Sequence, residues 1–457
     1  MKRWMRWLVV AAVGFILMAF SYYNYQYQAG DNLWKNAFMY IGKADPSSEA
    51  EGLEYIKRSV RLLPIGGRAQ IFAMIADSFG PHVGKSYRVS FQEKVILYSD
   101  MADDFTEEML QWGQFPLPGA DEVVAGFQAK SKDKITVDGR AFKVVGQLKK
   151  EVRLFADSYL VCDDAAAGEL FDANDEAVRN VYILRLPKEQ LTDLQMQERL
   201  KKAFPKSQFV AHVPLIRTEP GPFYLYVTGI SLLFLGGSLV LFKLYCFLAD
   251  RLGNKWLRLP LAEIRKYKRL FLTLHLIYFG IVVLFMLVAY NLPELQVCLL
   301  AGIGGAMEGP GPLAVAVKAY MSKNILWAAV VTFAINFPLG SLACITLPSI
   351  VVPGAGILIA CWRAVLWGLL LAPTVVELSG AMLPHSVTLL LEGEAYVIAT
   401  FFGLLILVYL FRKAEGQGVG RRYGKALLMN IRGNLWVAIV LAVAAIYEAI
   451  EVILAMK

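Results

Sequence analysis

The chain contains 457 residues, of which 57% are apolar and only 18% carry a charged side chain. A soluble globular protein has about a quarter charged residues, and the apolar residues of this chain stand in long blocks rather than being spread evenly. These values exclude a single water-soluble enzyme, a disordered chain and a fibrous repeat. They predict an integral membrane protein.

The formal net charge of +8 is unevenly distributed along the chain. Basic residues are concentrated in three short segments beside apolar blocks, at residues 2–6, 243–269 and 412–432. Basic loops next to membrane spans are typical of the cytoplasmic side of a membrane. A nucleic-acid-binding protein would instead need its basic residues on one folded face, so we predict no nucleic-acid partner.

Seven apolar spans are close to the length of about 20 residues that crosses a bilayer as a helix. They comprise residues 7–23, 223–248, 270–291, 325–347, 355–376, 395–411 and 435–454. The first span follows Lys2-Arg3 and ends near Ala19-Phe20-Ser21, which also fits a cleavable signal peptide. Tyrosines at positions 22, 23, 25 and 27 instead indicate an interfacial aromatic belt, and we favour an uncleaved anchor.

With the N-terminus in the cytoplasm, seven spans place all three basic segments on the cytoplasmic side, and one span more or fewer breaks this agreement. The predicted fold is a polytopic α-helical protein of the cell membrane, with a mixed α/β extracytoplasmic domain between helices one and two. Its predicted divisions are a transmembrane anchor (1–27), the extracytoplasmic domain (28–219), a second transmembrane helix with a basic cytoplasmic loop (220–269) and a five-helix membrane domain (270–457). Membrane lipid is an expected partner, and a homo-oligomer stays open.

Residues 28–219 have the composition of a soluble domain with both helix and strand patterns. Segments 53–63 and 191–204 fit amphipathic helices. The predicted strands are 87–89, 95–98, 134–137, 142–147, 159–161 and 181–184. Asp138-Gly139 predicts the turn of a β-hairpin.

Common catalytic and metal-binding motifs do not occur in the sequence. Neither H-E-x-x-H nor G-x-S-x-G is present, and the five cysteines include no C-x-x-C pair. The four histidines are too far apart along the chain to suggest a site. We therefore predict a protein that is not an enzyme and has no metal or cofactor.

Ionisable side chains in apolar spans are costly and so mark candidate functional positions. Arg363 lies in the fifth span, Glu392 and Glu394 precede the sixth at a helix N-terminus that favours negative charge, and Glu448 and Glu451 share one face of the seventh. One interpretation is a polar cavity in the outer half of the bundle that binds a cation or a polar group of a substrate. The other is that these side chains anchor helices to one another. Arg363 could pair with a carboxylate or reach lipid phosphates.

Helix-breaking residues predict irregular backbone in the membrane region. Asn336 and Pro338 interrupt the fourth span, and residues 348–356 contain two prolines and two glycines. Such backbone is tolerated at membrane depth where it is buried in protein or lines a cavity. The glycine-rich residues 302–312 predict a connecting loop.

Residues 118–126 (PGADEVVAG) and 134–146 (KITVDGRAFKVVG) resemble the periplasmic core domain of macrolide-exporter-type ABC permeases, over roughly residues 85–165. In that family an acidic E-V-x-x-G strand leads to a hairpin with the pattern I-x-V-x-G-x-x-F-x-V-V-G. The resemblance implies that the basic loop after the second span docks on a separate ATPase subunit. The candidate docking residues are Arg258, Arg265, Lys266, Lys268 and Arg269. The family's usual acidic motif is missing from residues 250–269.

Residues 270–457 are similar to the stage II sporulation protein M family. The matching features are Asn324 before a span, the Pro384-His385 pair, the pattern E-x-x-A-x-x-x-A-x-x-x-G at residues 392–403, and A-x-x-E-A at residues 445–449. Small residues at this spacing let helices approach closely in lipid. Ser386 stands in place of the family's usual Gly, and about three extra residues precede Glu392. The resemblance implies that Pro384, His385, Glu392 and Glu448 share the outer end of the bundle.

Three functions follow from these patterns. The first is a non-catalytic, ABC-permease-like transport subunit that works with a separate ATPase on a peptide or lipid-like substrate. The alternative is a structural partner in a membrane complex that organises cell-wall remodelling, as the sporulation resemblance implies. The third, a membrane enzyme that uses the outer carboxylates for acid–base chemistry, is disfavoured because the sequence has no nucleophile or metal motif.

Overall fold

The computed structural model describes residues 2–29, 36–98, 101, 104–162, 169–187, 190, 193–411 and 418–456. The chain forms two compact units. The first, here the helical unit, contains residues 1–25, 218–296 and 306–457; the second, here the sheet unit, contains residues 26–217 and 297–305. A helical protein with a separate mixed-sheet domain is what the sequence predicts in outline.

The helices of the described residues are, in chain order, α1 (Lys2–Ala29), α2 (Gly67–Ser78), α3 (Pro81–Phe91), α4 (Leu194–Ala203), α5 (Pro220–Arg251), α6 (Lys255–Lys266), α7 (Lys268–Asn291), α8 (Pro293–Glu308), α9 (Pro312–Met321), α10 (Ile325–Ala334), α11 (Leu347–Val351), α12 (Gly356–Leu370), α13 (Val376–Phe411) and α14 (Val419–Ala455). A π-helix, Ile335–Thr346, joins α10 to α11. The strands are β1 (Ala37–Gly42), β2 (Tyr55–Leu62), β3 (Lys94–Tyr98), β4 (Leu110–Gly113), β5 (Glu122–Ala125), β6 (Lys134–Val137), β7 (Arg140–Leu148), β8 (Ser158–Cys162), β9 (Val178–Arg185) and β10 (Phe209–His212).

The ten strands of the described residues form one mixed sheet. Their order is β10-β1-β9-β2-β3-β8-β5-β7-β4, and β6 pairs with β7. The pairs β3–β8 and β5–β7 are parallel, and the remaining pairs are antiparallel. Five of the six predicted strands are confirmed, within β3, β6, β7, β8 and β9. The predicted hairpin turn is confirmed as well, because Asp138 and Gly139 have φ values of 48° and 82°, as a type I′ turn requires.

Two predicted elements of the sheet unit are wrong. The helix predicted at 53–63 is instead the strand β2 at 55–62. Apolar spacing over so short a segment fits both structures, and pairing with β9 and β3 decides between them. Residues 87–89 belong to α3 rather than to a strand. Pro81 begins that helix, and Val83 and Tyr87, one turn apart, are both buried. The helix predicted at 191–204 is confirmed over Leu194–Ala203. Residues 191–192 lie outside the described residues.

Both faces of the sheet are covered by apolar side chains. In β8, Leu160 belongs to one core together with Ile96 of β3. Its neighbours Tyr159 and Val161 belong to a second core on the opposite face. Strands that are buried on both faces have nearly continuous apolar sequences rather than strict alternation.

An ionic cluster joins β3 and β10 through Asp157, the residue directly before β8. Lys94 is fully buried, and its Nζ donates to Asp157 Oδ2 at 2.7 Å and to the carbonyl oxygens of Val89 and Gln92 at 3.0 and 2.7 Å. His212 Nε2 lies 3.1 Å from the same Asp157 oxygen. Burial alone would raise the pKa of Asp157, but the Lys94 ammonium and then His212 hold it below its usual range. Burial and then the Lys94 charge lower the pKa of His212.

Within the described residues, six helical stretches of the helical unit are long and apolar enough to cross a membrane. They are Trp4–Asn24, Pro220–Arg251, Lys268–Asn291, Ile325–Val351, Leu378–Phe411 and Val419–Ala455. Each of the six contains most or all of one predicted span, and the last two begin 17 and 16 residues before the predicted spans 395–411 and 435–454. The other predicted span, 355–376, contains α12, which has 15 residues and is therefore about 22 Å long, less than the hydrocarbon core of about 30 Å.

Contacts between α1 and α5 show that these helices are antiparallel. Ser21 Oγ donates to the carbonyl oxygen of Pro222 at 2.5 Å. Fourteen residues further along α5, Gly236 lies directly against Ala11. The basic start of α1 therefore faces the C-terminal half of α5, and α6 follows directly after α5.

The basic segment after α5 lies beside the basic start of α14. The guanidinium carbon of Arg432 is 4.9 Å from the centre of the Trp256 ring, and Trp436 Nε1 donates to the carbonyl oxygen of Leu257 at 2.9 Å. The described parts of the three basic segments are thus at the same end of the helical unit. Residues 412–417 of the third segment lie outside the described residues.

Several predictions for the membrane region need correction. Most of the basic loop at 250–269 is the helix α6, because Leu261 and Ile264 pack inward at helical spacing and Asn254 caps the first turn. Residues 302–308 belong to α8, and a new helix begins at Pro312, so only a short break separates them. Glu392 and Glu394 lie in the middle of the 36-residue α13. The expected stabilisation by a helix N-terminus is therefore wrong for these two residues.

Candidate functional site

The π-helix between α10 and α11 carries an amide that links three helices. Asn336 Nδ2 donates to Glu392 Oε1 of α13 at 2.6 Å. Its Oδ1 accepts from Arg363 Nη2 of α12 at 3.2 Å and from the Tyr396 hydroxyl at 3.3 Å. Irregular backbone was predicted here from Asn336 and Pro338, and π turns are frequent at functional positions.

Arg363 is enclosed by aromatic rings and by the π-helix. Its guanidinium carbon lies 4.1 Å from the ring centre of Tyr396 and 5.4 Å from that of Trp367. Gly340 makes room for the group, because a Cβ at that position would be 2.9 Å from Arg363 Nη1. Arg363 thus contacts an amide and two aromatic rings, and Asn336 lies between it and the carboxyl group of Glu392.

Two carboxyl groups meet next to this amide. Glu448 of α14 is in hydrogen-bonding contact with Glu392 and with Tyr320 of α9. The Tyr320 hydroxyl is 2.7 Å from Thr332 Oγ1 of α10. Glu392 is 6% exposed, so this pair of carboxyl groups is largely removed from water.

A further carboxylate follows one turn along α14. Glu451 Oε1 is 3.2 Å from His385 Nδ1, and its Oε2 accepts from Thr388 Oγ1 at 2.9 Å. The carbonyl oxygen of Pro384, inside α13, accepts from the Tyr447 hydroxyl at 3.2 Å. α13 and α14 are therefore joined by side-chain hydrogen bonds along the same stretch in which they carry Glu392 and Glu448.

Glu394 belongs to a separate pair. Glu394 Oε2 is 2.6 Å from His275 Nε2 of α7, and His275 Nδ1 is 2.8 Å from the carbonyl oxygen of Phe271. Both side chains are almost completely buried. Because helical positions two apart point about 200° away from each other, Glu394 faces a different neighbour from Glu392. His275 is a polar residue within an apolar span, and this could have marked it as a candidate. Sequence analysis missed it because the four histidines are far apart along the chain.

The structure therefore brings together six of the seven residues predicted for the membrane cavity, with Pro384 taking part through its backbone carbonyl oxygen. Arg363, Pro384, His385, Glu392, Glu448 and Glu451 form one chain of neighbours, and Glu394 does not join it. Sequence analysis missed Tyr320, Thr388 and Tyr396 as members of this group. Tyrosine and threonine are common in apolar spans, so nothing in the local pattern distinguishes these three.

The chain of polar groups from Glu451 to Arg363 places three carboxyl groups near His385 and Arg363 in an apolar surrounding. His385 lies next to Glu451, and Arg363 is linked to Glu392 through Asn336. Basic groups near the carboxyl groups lower the free-energy cost of placing charge in an apolar surrounding. Within the described ranges, no three His, Cys, Asp or Glu side chains are grouped so as to hold a metal ion. Each of these groups also has a protein partner, so the contacts agree with interhelical anchoring as well.

The predicted docking residues are all on the outside of the helical unit. Arg258, Arg265 and Lys266 belong to α6, and Lys268 and Arg269 begin α7; all five side chains are exposed. Arg265 Nη1 forms an ion pair with Asp250 at 2.6 Å. The opposite side of α6 is apolar and is buried through Leu261 and Ile264.

Comparison with known proteins adds no family assignment. No protein-family model, no curated protein and no solved structure matches the chain. The resemblances to ABC permeases and to stage II sporulation protein M therefore stay predictions that depend on the sequence patterns quoted above.

Proposed function

We propose that this protein is a non-catalytic transport subunit of the cell membrane that works with a separate ATPase. The observation that carries the proposal is α6: a short helix with a basic outer face and an apolar inner face, between two long apolar helices. A rigid exposed helix of this kind suits the transmission of movement from a soluble subunit to a membrane bundle. The substrate in this proposal is a peptide or a lipid-like molecule.

The packing of α6 supports a mechanical connection to the carboxyl groups. α6 contacts α14 through Trp256 and Leu257, which touch Arg432 and Trp436. Glu448 lies twelve residues beyond Trp436 on the same helix, a distance of about 18 Å along its axis. A displacement of α6 would therefore move α14 and change the contact between Glu448 and Glu392.

The proposed orientation has the N-terminus in the cytoplasm, residues 28–219 outside and seven crossings. The fifth crossing is α12, whose short length requires local thinning of the bilayer. The common position of the three basic segments supports this orientation, because positive residues favour the cytoplasmic side. Single cysteines at Gly418 and Ser131 test it with a reagent that cannot cross the bilayer. We expect labelling of Ser131→Cys alone in intact cells. Labelling of Gly418→Cys alone would show that the orientation is the reverse, with the basic segments outside the cell and out of reach of a cytoplasmic ATPase.

The partner ATPase is tested by co-purification and by its rate of ATP hydrolysis. We expect the full-length protein to capture an ATPase from its own cell and to raise the turnover of that ATPase. Arg258→Glu combined with Lys266→Glu reverses two charges on the exposed side of α6. We expect this change to raise the dissociation constant of the ATPase by roughly tenfold or more, which corresponds to a loss of about 1.4 kcal/mol of binding free energy. Lys323→Glu, an exposed lysine just before α10, is the matched control and should have no effect.

The position of the carboxyl groups predicts a second, separable phenotype. Glu448→Gln should leave capture of the ATPase intact but alter its stimulation, because the change lies inside the bundle and spares α6. Equal capture and equal stimulation by all variants would contradict the docking proposal. If the purified protein binds only wall-remodelling proteins and changes no ATPase rate, the structural alternative replaces transport.

A further inference from the structure

The helix α2 of the sheet unit has apolar side chains on two opposite sides. Its inner side carries Ala73 and Ala76, which are at most 1% exposed and pack in one cluster with Tyr87 of α3 and Cys298 of α8. Its outer side and the residue after it carry four large apolar side chains that are 44–62% exposed, namely Ile71, Met74, Ile75 and Phe79. We refer to these four as the outer stripe.

The outer stripe is continuous along the helix. Its members are separated by three, one and four residues, a spacing that places them on one side of an α-helix. A helix that is apolar on all sides is normally buried in protein or in lipid. Clustered exposed apolar side chains on a folded domain mark a surface with a partner, so the outer stripe requires one.

The partner is indicated by the helix on which α2 rests. Cys298 Sγ of α8 is 3.6 Å from the carbonyl oxygen of Phe72. Phe79, at the edge of the outer stripe, has one side of its ring over Gly302 of α8 and is 46% exposed. α8 begins at Pro293, two residues after the end of the candidate membrane span α7. Cys298 is therefore seven residues further along the chain than the last residue of that span.

Charge favours lipid over a second copy of the chain. Arg68 is one turn before Ile71, and Lys85 lies on the adjoining helix α3; both side chains are exposed. A basic side chain at the edge of an apolar stripe suits the phosphate groups of lipids, which snorkelling arginine and lysine reach. A twofold contact between two copies would bring the basic side chains of both copies to or beside one interface, where their like charges add.

We propose that α2 is an in-plane membrane helix whose outer stripe inserts into the interfacial region of the bilayer. Helices of this type bury their apolar side about 5–10 Å into the boundary between headgroups and acyl chains. This contact would hold the sheet unit at the membrane surface independently of any ATPase, so its test does not depend on the proposed transport function.

Fluorescence quenching in nanodiscs of phosphatidylcholine and phosphatidylglycerol tests the proposal. A bimane label is attached to Met74→Cys in the full-length chain, with Cys246, Cys344 and Cys361 replaced by alanine. Lys201→Cys, on the exposed polar side of α4, is the matched control, and Ile75→Cys is a second stripe position in case Met74→Cys misfolds. Quenching is measured with lipids spin-labelled near the headgroup and, separately, with iodide in the buffer.

We expect spin-labelled lipid to quench the stripe label at least about twofold more than the control label, because only the stripe would lie in the interface. Iodide should show the reverse order. If iodide quenches both labels equally and the lipid quencher neither, the outer stripe faces water and the proposal is wrong. If the stripe label is shielded from both quenchers, a second copy or another protein covers it, and the proposal is also wrong.

Discussion

Removal of Lys94 tests how much the buried ionic cluster stabilises the sheet unit. In Lys94→Met the side chain keeps its approximate length but loses its charge and its donors. Three hydrogen bonds disappear, to Asp157 at 2.7 Å, to Val89 at 3.0 Å and to Gln92 at 2.7 Å. Asp157 then has His212 as its remaining partner in the cluster.

The expected loss is large because one member of a buried pair is left behind. Breaking a buried ion pair by removal of one partner costs about 3–5 kcal/mol. The Asp157 side chain is 22% exposed, and water can solvate it in part, so we expect the lower limit of about 3 kcal/mol. This corresponds to a change of roughly a hundredfold in the equilibrium between closed and open states.

Hydrogen–deuterium exchange on the full-length protein in detergent measures this change directly. Exchange of amide hydrogens in β3 and β8 requires these strands to open, so a lower free energy of opening speeds the exchange. We expect the protection factors of peptides that cover β3 and β8 to fall by about a hundredfold. Lys57→Met removes an exposed ion pair with Asp45, whose side chains are 48% and 74% exposed, and should change little. The double variant Lys94→Met with Asp157→Asn should lose less than the sum of the single variants, because no unpaired charge remains.

Two outcomes would refute this reasoning. The first is a Lys94→Met variant that changes protection no more than Lys57→Met does. The second is strict additivity of Lys94→Met and Asp157→Asn, which would mean that the two charges do not interact.

Two further predictions follow from the described contacts. The pKa of His212 is lowered in the folded protein. Just below a pH of about 6.5, the ordinary pKa of histidine, His212 therefore binds a proton in the unfolded chain but not in the folded one. Unfolding measured against pH should therefore show that the sheet unit loses stability as pH falls below that value, and His212→Asn should flatten this slope. A Cβ at Gly433 would overlap the Phe402 ring, so Gly433→Ala should cost about 1–3 kcal/mol by overpacking and lower the unfolding temperature in detergent. Gly424→Ala, which has no neighbour within 4 Å of its Cβ position, is the control; an equal effect of both changes would show that packing between α13 and α14 is not responsible.

The sequence predicted the strands of the hairpin correctly because their signals are local. Asp138 and Gly139 both have positive φ, and residues 134–137 pair with residues 140–143 directly across the turn. Segment 53–63 was predicted wrongly because its partner β9 lies more than a hundred residues away. Backbone hydrogen bonds to that distant strand outweigh a weak helical pattern.

The acidic positions were found from the sequence, but their grouping was not. Charge in an apolar span is visible in any linear scan, and this indicated Glu392, Glu394 and Glu448. The direction in which each side chain points depends on the rotation of α13. The tertiary structure turns Glu392 towards Asn336 and Glu394 towards His275.

By itself, the sequence determined that this is a helical membrane protein with a separate mixed-sheet domain. Apolar length and composition are properties of each segment alone, and a helix satisfies its backbone hydrogen bonds within its own segment. Only the tertiary structure decided which polar groups become partners. The partners Asn336 and Glu392 are 56 residues apart, and His275 and Glu394 are 119 apart. Contacts over such separations arise from helix packing, which no local sequence pattern records.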